Sequence, residues 1–258
     1  MKKIFTLFAL AAMTLGAAAN DLTVGEGTYY STTIPMCGLY ADTEGSMAQT
    51  IYPASMLADM NGKKITGITF YTLNQYYVSH GQADSSDAAD FINFSGSTYQ
   101  ISLLEVSQNS YDVNAPAPVT GATPIATVTP VKGDYIVNIV FDQPYEYNGD
   151  NLLVETTLIQ TEGDWAQTYF LGDGEATDEN VSYFFIDGDQ NVASYIPMTT
   201  FTYEDVATAV NDINEATTVK SVKYVNLNGQ TSDKPFNGMN IKVSTLSDGT
   251  TTTSKVVF

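Results

Sequence analysis

Apolar and polar residues alternate in short segments along most of the chain. In residues 64–71, Ile68 and Phe70 fall on one face of an extended chain, whereas Thr69 and Tyr71 fall on the other. Because successive side chains of a strand point to opposite faces, this alternation predicts a β-strand. Further segments rich in Val, Ile, Thr, Tyr and Phe are residues 99–106, 126–131, 135–141, 151–157, 167–171, 182–186 and 198–203.

Turn-forming residues separate these segments, as expected for antiparallel strands. They include Gly133, Gly149, Gly174 and Gly188, each next to Asp. Only residues 53–60 have a helical pattern, about two turns long. Many short strands with little helix predict an all-β fold, and we expect a jelly-roll-like antiparallel β-sandwich over residues 20–203.

The C-terminal residues 219–258 repeat this pattern on a smaller scale. Three strand segments with two turns between them predict a small three-stranded C-terminal β module. The dipeptide Asn228-Gly229 is typical of a type I′ hairpin turn. The strand segments are residues 222–227, 238–246 and 252–258, with turns at Asn228-Gly229 and Asp248-Gly249.

The N-terminus has the pattern of a secretory signal peptide. Lys2 and Lys3 precede an apolar run over residues 4–15, and small residues end at Ala19. This predicts a signal peptide over residues 1–19, so we expect a secreted or cell-surface protein. No Cys comes directly after the cleavage site, so we expect no lipid anchor there. The apolar run is too short to cross a bilayer, and no later segment is long enough. We therefore predict no integral membrane span.

Charge divides the chain into two parts. The protein has 10 Lys, no Arg and 29 acidic residues, a net charge of −19. Residues 20–218 contain three Lys and 27 acids, whereas residues 219–258 contain five Lys and two acids. This change indicates a separate C-terminal segment, and the polar residues 204–218 are predicted to form a linker. An acidic body repels phosphate, so we expect no nucleic-acid partner.

The C-terminal segment contains Leu227-Asn228-Gly229-Gln230 after a strand and ends in Lys255, two valines and Phe258. These features resemble the C-terminal sorting domain of type IX secretion in Bacteroidetes, although that family often ends in Lys or Arg. The resemblance implies a partner for residues 219–258, the outer-membrane export machinery. Residues 33–36, 49–54, 65–71 and 141–154 resemble a β-sandwich module repeated in surface proteins of the same group. That second resemblance implies adhesion or accessory binding without catalytic residues.

The residues needed for most catalytic sites are scarce. His80 is the only His and Cys37 the only Cys, and His80 lies in a polar segment without a nucleophile motif. A Ser/His/Asp or Cys/His triad would need His80, so we predict that the protein is not an enzyme. Cys37 is expected to be a small apolar residue packed in a core, and a reactive thiol is the alternative. A pair of carboxylates could hydrolyse glycosides, and this alternative stays open because the sequence does not single out one pair.

One acidic loop has the spacing of cation ligands. Asp187, Asp189 and Asn191 place oxygen ligands at alternate positions, as at the start of an EF-hand loop, which makes Ca²⁺ the candidate cation. Val192 and Met198 stand where an EF-hand has Gly and Glu. The alternative is a hairpin turn built on Asp187 and its glycine neighbour. Nearby acids that could complete a site are Asp173, Glu175, Asp178 and Glu179.

Aromatic residues are abundant, with 17 Tyr, 12 Phe and one Trp. Exposed aromatic rings can stack on sugars, so Trp165 and Tyr169 form a candidate ligand-binding site, with Tyr76 and Tyr77 as a second platform. Ordinary sheet packing is the alternative for most of these rings. We predict a secreted or surface-displayed adhesion or binding module whose partner is a glycan or a surface protein. The alternatives are a carboxylate-based glycoside hydrolase and a structural surface subunit.

Overall fold

The computed structural model describes residues 19–37, 42–161, 166–174, 179–205, 219–247 and 249–258. The chain divides into two compact units, residues 1–206 and 207–258. Within the described residues, no helix is long and apolar enough to cross a membrane. The predicted signal peptide up to residue 18 and residues 206–218 of the predicted linker lie outside the described ranges.

The described part of the first unit consists mainly of strands, one short α-helix and three single turns of 3₁₀ helix. The strands are β1 Asn20–Val24, β2 Tyr29–Ser31, β3 Met47–Tyr52, β4 Lys63–Tyr71, β5 Thr98–Val106, β6 Thr123–Val128, β7 Ile136–Tyr147, β8 Asn151–Gln160, β9 Phe170–Asp173, β10 Ser182–Ile186, β11 Asp189–Ala193, β12 Ile196–Pro197 and β13 Thr199–Glu204. The helix is α1 Asn74–Ser79, and the 3₁₀ turns are Ala54–Met56, Ala58–Met60 and Ala88–Asp90. Strand β13 runs one residue into the predicted linker, to Glu204.

These strands form three antiparallel sheets. A four-stranded sheet has the order β1-β13-β4-β7, and a six-stranded sheet has the order β11-β10-β3-β8-β5-β6. A small sheet, β12-β9-β2, is the third. The all-β prediction is confirmed, and non-sequential neighbours such as β13 and β4 show that contacts distant in sequence define the topology.

The main hydrophobic core lies between the two larger sheets. Ile68 and Phe201 from the four-stranded sheet belong to the same buried cluster as Ile101 and Leu152 from the six-stranded sheet. Phe201 also contacts Tyr52 edge to face, with ring centroids 5.1 Å apart. Because one core is built from facing sides of two sheets, the unit is a β-sandwich.

The outer side of the six-stranded sheet is also covered. Gln49 is fully buried there and holds the segment over residues 107–122. Its Oε1 accepts from the Tyr111 hydroxyl at 3.0 Å and from the Val119 N–H at 2.9 Å, and its Nε2 donates to Val119 O at 2.8 Å. This amide therefore joins the segment to the sheet over a second apolar cluster, which contains Ile51, Tyr111, Leu153 and Tyr183.

The helical expectation was only partly right. Residues 53–60 form two separate 3₁₀ turns closed by bonds such as Leu57 N–H to Ala54 O at 3.1 Å. A segment this short does not offset the cost of starting an α-helix. The helix α1 was not predicted, because its sequence NQYYVS is short and mixed in character. Contacts with distant parts of the chain hold its first turn. Sequence periodicity does not reveal such contacts.

The second unit contains one antiparallel sheet. Its strands are β14 Val219–Asn226, β15 Thr231–Ser232, β16 Met239–Leu246 and β17 Thr251–Val257, in the order β15-β14-β16-β17. The three long strands agree with the predicted three-stranded module, and the two-residue β15 adds a fourth. Among the described residues of this unit, the buried side chains are those of Asn240 and Ser244, both polar.

Candidate functional site

Five tyrosines from separate parts of the first unit lie near one another, and we call them the tyrosine cluster: Tyr29, Tyr30, Tyr76, Tyr77 and Tyr169. The rings of Tyr29 and Tyr30 have centroids 6.1 Å apart with planes 20° apart. Tyr30 also contacts Tyr169, at 4.6 Å between centroids. Tyr76 and Tyr77 meet edge to face at 5.9 Å. The cluster contains both Tyr-Tyr dipeptides of the sequence.

Strand β2 positions Tyr29 and Tyr30 through its pairing with β9. Tyr29 lies opposite Gly172 in this pair, and Tyr30 lies opposite Leu171. The chain before β2 is held by Asp173, whose carboxylate accepts from the Glu26 N–H at 2.8 Å. The pairing with β9 and this bond before the short strand fix the two rings on the sheet.

Helix α1 positions Tyr76 and Tyr77 from the other side. The residue before the helix, Leu73, donates its N–H to Tyr169 O at 2.8 Å. The side chain of Asn74 is fully buried, and its Oδ1 accepts from the Ser85 N–H at 2.8 Å. The start of the helix is therefore tied to the same segment that carries Tyr169.

His80 ends α1 and packs against the cluster. Its Nδ1 lies 2.8 Å from Tyr76 O, and its ring centroid lies 4.1 Å from that of Tyr76. The side chain is exposed. These contacts give His80 a local role at the end of the helix.

Two grooves border the Tyr29–Tyr30 pair. One, of about 350 Å³, is lined by Tyr30, Tyr76 and Tyr77 together with Leu73 and Leu171. The other, of about 480 Å³, has the same tyrosine pair on one side, and its further lining includes Ile34, Phe184, Tyr195, Ser31 and Thr33. Tyr29 is 63% exposed, Tyr30 48% and Tyr76 37%. Apolar ring faces and hydroxyl groups are thus presented to solvent beside concave surfaces.

The half-buried Tyr169 lies in an acidic environment. Desolvation raises the pKa of its hydroxyl, and Tyr30, Asp87 and Asp90 raise it further. The phenol is therefore protonated at neutral pH and able to donate a hydrogen bond. Asp90 is only 4% exposed and accepts from the Ser85 hydroxyl.

Of the two residues predicted to bind sugar, one is in this cluster. Tyr169 contacts Tyr30 and lies beside α1, whereas Trp165 lies outside the described residues. The second predicted platform, Tyr76 and Tyr77, belongs to the same cluster. Tyr29 and Tyr30 were not predicted from the sequence, where the repeated Tyr-Tyr dipeptide is the only signal for them.

The predicted cation ligands lie on one hairpin. Asp187 and its glycine neighbour connect β10 to β11, and their φ values of +49° and +87° define a type I′ turn. Asp189 and Asn191 are exposed on β11, and the Asn191 Oδ1 accepts from the Val192 N–H at 2.9 Å. The Asp173 carboxylate, at the end of β9, accepts from the Glu26 N–H in the loop before β2.

Other acids considered for that site lie outside the described ranges, namely Glu175 and Asp178. In the part of the chain that is described, no group of three or more His, Cys, Asp or Glu side chains is arranged to hold a metal ion. Ca²⁺ binding at Asp187, Asp189 and Asn191 stays a prediction.

Cys37 is buried as predicted, at 1% exposure, and its carbonyl oxygen accepts from the Tyr99 hydroxyl at 2.9 Å. This places the lone thiol in the interior of the first unit.

That the protein is not an enzyme stays a prediction, as do both family resemblances. Comparisons with protein families, with curated protein sequences and with solved structures give no match for this chain.

Proposed function

We propose that this protein is an exported, surface-displayed binding protein without catalytic activity, and that its tyrosine cluster binds carbohydrate. The observation that supports this proposal is the group of five tyrosines, three of them well exposed, beside two grooves. Tyrosine rings offer an apolar face to the C–H groups of a sugar ring, and their hydroxyls can bond to sugar hydroxyls.

The hydrogen bonds that hold the tyrosine cluster in place favour a role in ligand binding. Three bonds hold it in place: Asp173 to the Glu26 N–H, Leu73 to Tyr169, and Asn74 to Ser85. A site that is ordered before binding loses less conformational entropy when a ligand arrives. Tyrosine has only two side-chain torsions, so fixing it costs less than fixing a longer polar side chain.

The charge of the body narrows the choice of ligand. With 27 acids against three Lys in residues 20–218, the protein opposes densely sulfated or phosphorylated glycans. Neutral or weakly acidic sugars fit this surface better.

Export and display are proposed from residues 1–19 and 219–258, and removal of residues 219–258 should keep the protein from reaching the cell surface.

Calorimetric titration of the purified protein with glycans found on an array tests the carbohydrate proposal. We expect Tyr30→Ala to weaken binding most, by at least tenfold, because Tyr30 contacts both Tyr29 and Tyr169 and borders both grooves. Tyr76→Ala should weaken it less. Tyr135→Ala is the matched control, since Tyr135 is 40% exposed but outside the cluster.

Equal binding by Tyr30→Ala and the unaltered protein would contradict the proposed site. A loss caused only by Trp165→Ala would instead move the site to Trp165. Circular dichroism of each variant shows whether the fold is retained, so that a binding loss can be assigned to the altered ring.

A further inference from the structure

Lys132 differs from the other two lysines of the acidic body. Lys63 forms an ion pair with Asp205, and the Lys64 Nζ lies 3.6 Å from a Glu146 carboxylate oxygen. Lys132 is exposed and has no ion pair with any described residue. In a region with 27 acids, an ammonium that forms no ion pair among the described residues is a local positive charge for a ligand.

The turn that carries Lys132 is fixed to the rest of the unit. Asp134 donates its N–H to Val131 O at 3.1 Å, which closes the turn. Ile92 donates its N–H to Asp134 O at 2.8 Å and accepts from the Gly133 N–H at 2.8 Å. The backbone at Lys132 is therefore held at a defined position beside the segment that contains Ile92.

A groove of about 470 Å³ lies next to this turn, and we call it the Lys132 groove. Its polar lining consists of Lys132, Asp87, Asn93, Ser95 and Gln167. These side chains offer both donors and acceptors, as recognition of vicinal sugar hydroxyls requires. The Asp87 Oδ1 already accepts from the Ala89 N–H at 2.9 Å, where it caps a 3₁₀ turn.

The Lys132 groove adjoins the tyrosine cluster through Tyr169. The Tyr169 N–H donates to Ala89 O at 2.8 Å, and Ala89 lines the groove. The Asn93 N–H donates to the Thr168 hydroxyl at 3.0 Å, which joins the two walls of the groove. The Tyr169 ring contacts Tyr30. A chain of linked sugars could thus contact both surfaces.

We propose that the Lys132 groove is a second subsite of the carbohydrate site and that it binds the carboxylate of a uronic acid unit. This inference rests on the proposed function of the tyrosine cluster. A single lysine matches the single negative charge of a uronate. More highly charged sulfated chains would be repelled by the nearby carboxylates of Asp87 and Asp90. The neutral polar side chains Asn93, Ser95 and Gln167 bond to the hydroxyls of the same sugar unit.

Paired tetrasaccharides test the assignment. A panel of uronate tetrasaccharides is compared by calorimetry with their carboxyl-reduced forms, which keep the ring and linkage but lose the charge. We expect the unaltered protein to prefer a uronate form by about tenfold, the strength of one charge-assisted contact. Lys132→Gln should abolish this preference, because it weakens binding of the uronate form far more than binding of the neutral form, and Lys132→Arg should retain it.

Lys223→Gln is the control, because it removes the same charge from an exposed lysine of the second unit. Equal affinity for charged and reduced forms, unaffected by Lys132→Gln but lost in Tyr30→Ala, would overturn this inference and leave the proposed function standing. Absence of binding to every tetrasaccharide and to the glycan array would overturn both. A preference lost equally in Lys223→Gln would show a general charge effect and would also refute the Lys132 assignment.

Discussion

The two units of this protein bury different kinds of side chain. In the first, buried residues such as Ile68, Phe201 and Leu152 form one apolar cluster between two sheets. In the described residues of the second, the buried side chains belong to Asn240 and Ser244. Both units are built of antiparallel sheets, but among the described residues only the first has a buried apolar cluster of the kind that usually stabilises such sheets.

Each unit nevertheless uses a buried amide to hold a loop. Gln49 in the first unit bonds to both backbone groups of Val119. Asn240 in the second accepts from the Phe236 N–H at 2.9 Å and donates to the Phe236 and Gly238 carbonyls at 2.7 and 2.8 Å. Buried hydrogen bonds therefore contribute a larger share of the stability of the second unit, where none of the described apolar side chains is fully buried.

Several apolar side chains of the second unit are exposed on one face of its sheet. Met239 pairs with Val257 across β16 and β17, and Ile241 follows on the same face, two residues along. These three side chains are 36%, 70% and 43% exposed. We therefore expect that truncating an apolar side chain lowers the free energy of unfolding far more in the first unit than in the second.

Removal of Phe201 should have the largest effect. Phe201 is fully buried, so we expect Phe201→Ala to lower the free energy of unfolding by about 3–5 kcal/mol. Ile241→Ala should lower it by less than about 0.5 kcal/mol, because the side chain is half exposed. Urea unfolding followed by circular dichroism gives both values. A cost of about 2 kcal/mol or more for Ile241→Ala would show that this face is covered in solution.

The buried amides should come next. Replacing Gln49 or Asn240 by Leu leaves backbone groups without partners, and we expect each change to cost about 2–3 kcal/mol. Asn240→Leu should be among the most damaging single changes in the second unit, and hydrogen exchange of the Phe236 amide should report it directly. If that amide keeps its protection, Asn240 does not hold the loop.

Glycines in the two units should respond differently to substitution. A Cβ on Gly172 would lie 2.4 Å from Ile196 O and from the Tyr195 ring, so Gly172→Ala should cost about 1–3 kcal/mol through overpacking. Gly229 has open space around it but a φ of +78°, so Gly229→Ala should cost about 1 kcal/mol through backbone strain.

Substitution by Asn separates these two causes. Asn tolerates positive φ, so Gly229→Asn should restore most of the stability that Gly229→Ala loses. Gly172→Asn should be at least as damaging as Gly172→Ala, since its side chain is larger. Thermal unfolding of the four variants provides the comparison, and a rescue at position 172 would refute the steric explanation.

Local pattern predicted the long strands well. The alternation that assigned Ile68 and Phe70 to one face agrees with their burial in β4. The three-residue strand β2 carries no such signal and is defined by pairing with β9, far away in sequence. The tyrosine cluster depends on that pairing, so its assembly from Tyr30 and Tyr169 could not be predicted from periodicity.

The turn types also show how far local sequence predicts structure. Asn228-Gly229 was expected to form a type I′ turn, but only its glycine has positive φ, so that expectation was wrong. The Asn226 side chain accepts from the N–H groups of Asn228 and Gln230, at 3.0 and 2.9 Å, and this holds a different loop. The similar dipeptide at Asp187 does form a type I′ turn. A dipeptide indicates a turn, but neighbouring side chains decide its geometry.

The smallest effects are expected at these two turns. Asp187 has positive φ, so Asp187→Ala should cost about 1 kcal/mol, whereas Asn228→Ala should be nearly neutral. Asp187→Asn should retain the stability of the first unit, because Asn also accepts positive φ. Thermal midpoints measured with Ca²⁺ and with EDTA then test the remaining role of this hairpin. If Asp187 acts only in the turn, Ca²⁺ leaves the midpoint unchanged. A Ca²⁺-dependent rise that both Asp187→Asn and Asp189→Asn abolish would instead place a cation on the hairpin, since a ligand of the folded state raises the midpoint by mass action.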